Sequence, residues 1–176
     1  MKSKLTWVII TALLLQSGAF MYFIITKPKV GYVEIGKVYN EFKLKKELDK
    51  QLENVVNKRK LATDSLELEL TMLSSKLQSI GEKAKEFPEL AKTFEYKRQN
   101  YLMRKQSFAK DNEALTLQYE EQIFTQVNQY MKEYGSQMGY AYIFGADGSG
   151  NLMYAEDASN ITGEVSKYID QKYLGK

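Results

Sequence analysis

The sequence predicts a mostly helical α+β protein, in which a long antiparallel coiled-coil helical hairpin projects from a small β-rich oligomerisation body. Three features support this fold class: an uncharged amino-terminal segment, a charged middle with apolar residues at helical spacing, and short strand-like runs on either side of that middle. A helix of about 40 residues is about 60 Å long at 1.5 Å per residue. Two such arms cannot be folded into a small globule, so we expect them to project from the body.

Residues 1–28 are predicted to be a signal anchor or a signal peptide. Leu5–Thr26 carries no charge and is long enough to span a bilayer. Small residues at Ser17-Gly18-Ala19 would allow cleavage after Ala19. Apolar residues resume in Phe20–Ile25, which favours an uncleaved anchor. A buried hydrophobic helix of a soluble core is a third interpretation.

Residues 29–38 are predicted to hold the first strand of the body, and residues 39–134 the helical hairpin with its tip near residues 81–88. Lys29–Ile35 alternates β-branched and aromatic residues over the length of a strand, and Gly36 closes it. The first arm then carries apolar residues mostly three and four positions apart, with one turn skipped at Arg59. These residues are Leu44, Leu48, Leu52, Val55, Ala62, Leu66, Leu70, Leu73, Leu77 and Ile80.

The second arm has larger apolar residues at strict seven-residue intervals, which predicts a supercoiled seam against the first arm. Gly81 is expected to end the first arm, Pro88 to lie in the first turn of the second, and Gly135 to end it. The seam residues of the second arm are Phe94, Tyr101, Phe108 and Leu115.

Residues 135–176 are predicted to complete the body with a strand hairpin and a carboxyl-terminal helix. Tyr140–Phe144 and Leu152–Ala155 read as two short strands, and the glycine-rich Gly145–Asn151 between them reads as a turn. An antiparallel pair of strands is expected from this arrangement.

A final amphipathic helix is predicted over Ile161–Leu174, with Asn160 or Ser159 as its cap. One strand, a strand hairpin and a short helix make a core that is small for independent stability. We therefore expect strands from several copies to close one shared body. The residues expected in this oligomer body are Val30, Tyr32, Val33, Ile35, Tyr142, Ile143, Leu152, Tyr154, Val165 and Ile169.

The composition argues against catalysis, because the chain has no His and no Cys. The commonest general base, the commonest metal ligand and the thiol nucleophile are therefore missing. No stretch matches a phosphate loop, a nucleotide fingerprint or a nucleophile elbow. We expect no enzymatic activity, no cofactor, no metal and no small-molecule substrate. The net charge of +3 is too small to indicate nucleic acid binding.

The order of strand, long helical hairpin, strand hairpin and terminal helix resembles the OmpH-like family of periplasmic chaperones. The most specific pieces are GYVEIGKVYNEF at Gly31–Phe42 and SGNLMYAEDASNITGEVSKYI at Ser149–Ile169. The resemblance covers about Lys29–Lys172 and rests on the ordered set of elements. The amino end departs from the family, whose better-known members have a removable signal peptide.

This resemblance implies a homotrimer whose helical arms enclose a cavity for unfolded outer-membrane proteins and which works without ATP. It implies a location in the periplasm, either tethered to the inner membrane by the uncleaved leader or soluble after cleavage. The alternative function is a membrane-anchored structural or bridging coiled-coil protein of the cell envelope.

The part of the hairpin near its tip is basic. Residues 76–105 contain eight basic and four acidic residues, a net charge of +4. Such a patch would speed the capture of acidic clients and contact with an anionic membrane surface, or it would only solvate the helices. The basic residues are Lys76, Lys83, Lys85, Lys92, Lys97, Arg98, Arg104 and Lys105.

Apolar contact with clients is expected from side chains just off the seam, because seam residues are used in pairing the two arms. Flexible and aromatic groups at such positions adapt to varied partners. The candidates are Leu102, Met103 and Phe124.

Overall fold

Two long helices account for most of the chain in the computed structural model, which describes residues 13, 15–18 and 27–175. The elements in chain order are strand β1 (Lys29–Glu34), helices α1 (Ile35–Glu41), α2 (Lys43–Ile80) and α3 (Phe87–Gln137), strand β2 (Tyr140–Ala146), a short 3-10 turn (Asp157–Ser159) and helix α4 (Thr162–Tyr173). The mostly helical α+β class is confirmed. Within the described ranges, no helix combines the length and the apolarity needed to cross a bilayer. The predicted leader, Leu5–Thr26, lies largely outside those ranges.

The chain divides into two units. The first comprises the residues up to Val38 together with Tyr130–Tyr168, and the second comprises Tyr39–Gln129 together with the residues from Ile169 onward.

The first unit is built around β1, which pairs in parallel with β2. Val30 lies beside Tyr142, and Tyr32 lies beside Phe144. On its other side, β1 meets the residues before α4, where the Ile161 N–H donates to the Tyr32 carbonyl at 2.9 Å. β1 therefore holds both neighbours in place with backbone hydrogen bonds.

The predicted antiparallel strand hairpin is wrong. Residues 152–155 have no regular secondary structure, and the partner of β2 is β1, more than a hundred residues earlier. The turn itself forms, because the Asp147 carboxylate accepts hydrogen bonds from the Ser149 backbone N–H and hydroxyl at 2.8 and 2.6 Å. Gly148 and Gly150 then take positive φ angles of 78° and 98°. The chain turns there without running back along β2.

The core of the first unit lies between the sheet and α4. Its buried apolar residues are Val33, Val38, Tyr134, Ile161 and Val165. Thr162 is the one polar residue that is buried in the described part of the chain, and its hydroxyl accepts from the Glu34 N–H at 2.9 Å and donates to Asn160 Oδ1 at 2.6 Å. This arrangement avoids the cost of an unpaired buried polar group.

A tyrosine cluster extends this core. The Tyr134 ring stacks on Tyr140 at 5.9 Å and meets Tyr168 edge-on at 5.2 Å. Burial raises the pKa of the Tyr134 phenol, with smaller contributions led by Tyr140. Lys29 covers the outer side of the cluster, with its Nζ 4.0 Å from the Tyr140 ring centre.

The long helix α3 ends later than predicted, because Gly135 does not end it. A Cβ at Gly135 would lie 3.2 Å from Ile143 Cδ1, so this glycine lets β2 approach the helix closely. The helix continues to Gln137, and Gly139, with a φ of 71°, makes the left-handed turn that leads into β2.

The second unit is an antiparallel pair of α2 and α3. As residue numbers rise along α2, those of the residues contacted on α3 fall. The cross-helix hydrogen bonds are Tyr119 to Gln51, Arg59 to Asn112, Tyr101 to Glu67 and Lys97 to Glu69. The helical hairpin predicted from the sequence is therefore confirmed.

One end of this helix pair is closed by the last residues of α4. The Phe42 and Tyr173 rings meet edge-on at 5.5 Å, and the Lys43 N–H donates to Asp170 Oδ1 at 3.0 Å. Phe42, in an extended conformation, also separates α1 from α2. The buried apolar residues here are Phe42, Leu44, Leu48, Ile123, Val127 and Ile169.

Substitutions at two glycines, Gly31 and Gly36, test the close packing of β1 in the first unit. A Cβ at Gly31 would lie 2.9 Å from Ile161 Cδ1 and 3.0 Å from Tyr140 Cε1, whereas a Cβ at Gly36 would meet nothing within 4 Å. Gly31→Ala should therefore lower the free energy of unfolding by about 1–3 kcal/mol. Gly36→Ala, in helix α1, should raise it by up to about 1 kcal/mol.

Urea unfolding followed by circular dichroism, at matched protein concentration, measures both changes. Equal effects of the two substitutions would contradict the packing described for β1.

Candidate functional site

The connection between the two long helices is short and ordered. Gly81, at a φ of 69°, ends α2 while its N–H donates to the Leu77 carbonyl at 3.3 Å. Two further backbone hydrogen bonds carry the chain to Phe87, and Pro88 occupies the first turn of α3, where no N–H is needed. The predicted positions of Gly81 and Pro88 are confirmed.

Three of the eight basic residues predicted for the tip have partners within the hairpin. Lys97 Nζ lies 2.5 Å from Glu69 Oε1 on α2, and Lys105 Nζ donates to the Tyr101 hydroxyl at 3.1 Å. Arg98 binds Glu95 through two hydrogen bonds of 2.9 and 2.8 Å. These bonds lower the pKa of the Glu95 carboxyl, with a further contribution from a Gln99 hydrogen bond. All of these groups are substantially exposed, so solvent and salt screen them.

The other five basic residues have no ion pair with a carboxylate of the described chain. They are Lys76, Lys83, Lys85, Lys92 and Arg104, and all five are exposed. Lys83 and Lys85 lie in the connection between the helices, and Lys76 borders an open recess of about 490 Å³ between the last turn of α2 and the first turns of α3. Glu86 and Glu89 line the same recess, so this part of the hairpin presents a net excess of positive charge to solvent.

Three of the four seam residues predicted for α3 lie against α2, and the fourth, Leu115, is half-buried. Phe94 lines a recess with Leu70 and Ser74 of α2. The Tyr101 hydroxyl donates to Glu67 Oε2 at 3.1 Å, and the Phe108 ring lies 5.6 Å from the Arg59 guanidinium. Since these side chains face the partner helix, they are used in holding the hairpin together.

The three predicted off-seam contacts are all exposed. Leu102, Met103 and Phe124 keep 50%, 61% and 58% of their surface accessible. Their contact with a client stays a prediction. Sequence reasoning missed Tyr96 and Leu117 of the same helix, which are 69% and 60% exposed. Counting in sevens from Met103 would have found both.

The residues predicted for an oligomer body fall into two groups. Val33, Val165 and Ile169 are buried within the chain itself and are not accessible to another copy. Tyr32, Ile35, Ile143 and Leu152 are half-buried, whereas Val30, Tyr142 and Tyr154 are exposed.

Two further exposed residues, Phe144 and Met153, were missed. The Tyr142 and Phe144 rings stack at 6.2 Å on one face of β2, next to Val30 of β1. The two-stranded sheet thus has an apolar face that the described chain leaves uncovered.

A two-stranded parallel sheet whose strands are connected through a long antiparallel helical hairpin defines a class of α+β helical-hairpin proteins. A sequence profile described as "Outer membrane protein (OmpH-like)" matches residues 29–169. The chain belongs to the OmpH-like family.

Relatives and one solved structure agree with this family. The proteins named chaperone protein Skp of Yersinia enterocolitica and Pectobacterium atrosepticum are each 24% identical over 143 residues, covering 80% of this chain and 85% of the relative. A crystal structure of an OmpH-like outer membrane chaperone from Caulobacter crescentus superposes with a TM-score of 0.72 at 15% identity, covering 84% of this chain and 86% of that one. This structural likeness shows that the fold is shared.

The unpaired lysines near the helix connection should affect how fast clients associate. Replacing Lys83, Lys85 and Lys92 together by Glu should slow association with an acidic, urea-denatured outer-membrane protein about tenfold at low salt, because steering charges act on the encounter rate. The difference should shrink as salt rises, since the Debye length falls from about 10 Å at 0.1 M to about 3 Å at 1 M.

Stopped-flow mixing with a fluorescently labelled polypeptide measures these rates. The matched control replaces three exposed lysines of α2 that lie far from the helix connection by Glu. They are Lys46, Lys50 and Lys58. Equal slowing by both variants would mean that only net charge matters and would remove any special role of the helix connection.

Proposed function

We propose that this protein is an ATP-independent holdase chaperone that binds unfolded outer-membrane protein precursors in the periplasm. Membership of the OmpH-like family supports the proposal, as do relatives that carry the name chaperone. The observation that carries it is the surplus of exposed apolar side chains on a helix pair whose seam is already filled. The residues assigned to client contact are those on α3: Tyr96, Leu102, Met103, Leu117 and Phe124.

Such a surface suits many weak contacts better than one tight site. Apolar burial contributes about 25 cal/mol per Å², so each side chain adds little and several together hold a client. An unfolded client keeps much of its disorder while bound and leaves when folding offers deeper burial. Release then needs no nucleotide, and the chain, which lacks His and Cys, needs no cofactor or catalytic step for this work.

We further propose that the working form is an oligomer, with three copies as implied by the family resemblance. The uncovered face formed by Val30, Tyr142 and Phe144 supports self-association, because a two-stranded sheet is marginal alone and an exposed sheet face favours pairing. Met153 and Tyr154, 88% and 82% exposed, add apolar surface in the segment after β2.

The leader supports a location at the outer face of the inner membrane. Leu5–Thr26 is uncharged and continues apolar through Phe20–Ile25, which favours retention as a tether. The unpaired lysines near the helix connection would favour contact with an anionic membrane surface.

The holdase activity is tested by aggregation. The part of the chain from Phe20 onward should delay light scattering of a urea-diluted outer-membrane β-barrel precursor at near-stoichiometric ratios and without nucleotide. A stable oligomer that causes no delay would contradict the holdase proposal and favour a structural or bridging role in the envelope.

The oligomeric state is tested by native mass measurement of protein extracted from membranes, which also reports whether the leader is retained. We expect the mass of three copies, each with its leader. Tyr142→Ser together with Phe144→Ser should shift the mass toward a single copy, because the sheet face would lose its apolar character. The control pair Leu61→Ser and Leu68→Ser on α2, where both side chains are more exposed than Tyr142 and Phe144, should leave the mass unchanged. A single-copy mass for the unmodified protein would refute the oligomer.

A further inference from the structure

Four of the exposed apolar residues on α3 share one seven-residue register. Tyr96, Met103, Leu117 and Phe124 are separated by multiples of seven positions, and Lys110 occupies the one position of the series that is not apolar. Their exposed fractions are 69%, 61%, 60% and 58%. We name these four apolar residues the outer stripe.

The outer stripe lies on the side of α3 that faces away from α2. Three of its members follow a seam residue by two positions: Tyr96 follows Phe94, Met103 follows Tyr101, and Leu117 follows Leu115. Phe124 directly follows the buried Ile123, about 100° around the helix from it, and so lies at the edge of the stripe. Two residues correspond to about 200° around a helix of 3.6 residues per turn. Since Phe94 and Tyr101 contact α2, the stripe cannot also contact it.

The stripe does not have the pattern of a second coiled-coil seam. A seam needs two apolar positions in each heptad, whereas the positions three and four residues after the distal stripe residues are polar. These are Gln99, Asn100, Gln106 and Ser107, and after Leu117 they are Glu120 and Glu121. A helix from a second copy would therefore find only half of the contacts that it needs.

An extended chain fits the spacing better. Successive positions of the stripe register are about 10.5 Å apart along the helix axis, close to the ~9.3 Å that one three-residue turn of an extended polyproline II chain spans, and such a chain presents every third side chain on the same side. Tyr, Met, Leu and Phe side chains offer separate anchors of different shapes, and Met adapts readily to varied neighbours.

The charges beside the stripe specify the partner further. Lys92 and Glu95 both line the shallow surface recess of about 380 Å³ that holds Tyr96, and Lys110 lies within the register itself. Glu95 is paired with Arg98, whereas both lysines are exposed and form no ion pair with the described residues. Glu120 and Glu121 lie between Leu117 and Phe124, so the unpaired positive charge is confined to the distal part of the stripe, from Tyr96 to Lys110.

We propose that the outer stripe is the contact line for an extended apolar segment of an unfolded polypeptide, with acidic client residues beside the distal part of the stripe. The proposal rests on the holdase function above and assigns its client contact to one face of one helix.

The test uses the full chain in lipid nanodiscs and a urea-denatured outer-membrane β-barrel protein as the probe. The stripe variant carries Tyr96→Gln, Met103→Gln, Leu117→Gln and Phe124→Gln. It should need about tenfold more protein for the same delay of aggregation, equivalent to about 1.4 kcal/mol. The matched control, with Leu61→Gln, Leu68→Gln and Met72→Gln at exposed fractions of 68%, 63% and 65%, should change the required amount less than about twofold.

The outcomes separate the stripe from the general function. If the unmodified protein and the stripe variant delay aggregation of the probe equally, the assignment of client contact to the outer stripe is wrong, and the holdase function stands. A lack of delay by the unmodified protein overturns the holdase function and the stripe with it. Equal losses in the stripe variant and the control overturn the assignment to α3.

A photoreactive residue at Met103 or Leu117 gives an independent measurement that does not depend on aggregation. It should crosslink to the denatured probe, whereas the same group at Ser107 or Glu121 on α3 should crosslink several-fold less. Crosslinks at Met103 between copies of the chain, formed without the probe, would identify the stripe as a subunit interface and overturn the proposal.

Discussion

The antiparallel pairing of α2 and α3 is the constraint on which the rest of the structure depends. Helices of 38 and 51 residues with charged surfaces gain most of their stability from packing along an apolar face. Each helix uses that face against the other, so the apolar residues left over point elsewhere. The apolar side chains that stay exposed on the helix pair are therefore not needed for folding. Exposed apolar surface of this kind is typical of binding sites.

A polar layer interrupts the seam and helps to fix its register. Arg59 occupies the turn where the apolar series of α2 is skipped, donates a hydrogen bond to Asn112 and lies over the Phe108 ring. A buried polar position within a coiled coil costs stability but disfavours shifted pairings, because a shift would leave the polar groups without partners. The register in turn decides that Tyr96 and Met103 face away from α2. The outer stripe thus depends on a contact made by Phe108 and Asn112, which lie between Met103 and Leu117 along α3.

The sequence predicted the local elements well and the long-range pairing poorly. Seven-residue spacing identified Phe94, Tyr101 and Phe108 as seam residues, and backbone chemistry placed Gly81 and Pro88 at the helix connection. The parallel pairing of β1 with β2 could not be read locally, since a glycine-rich turn directly after β2 made an adjacent hairpin the simpler expectation.

The end of α3 was predicted wrongly for a similar reason. A glycine near the end of a helical pattern normally indicates a cap, but Gly135 provides room for Ile143, a residue that only the folded structure brings near. The outer stripe, in contrast, could have been found from the sequence by extending the series through Met103 and Phe124. What it contacts depends on which face α2 covers, and that information comes from the fold.

Spin-label distances across the helix pair test the central claim most directly, and the absence of native Cys makes the labelling specific. Labels at Glu53 with Gln118, and at Lys76 with Lys92, join positions that the antiparallel register brings opposite each other. Both pairs should give short, narrow distance distributions, since packed helix axes lie about 8–10 Å apart. Long or broad distributions for either pair in the absence of client would contradict a filled seam, and with it the separation between pairing surface and binding surface.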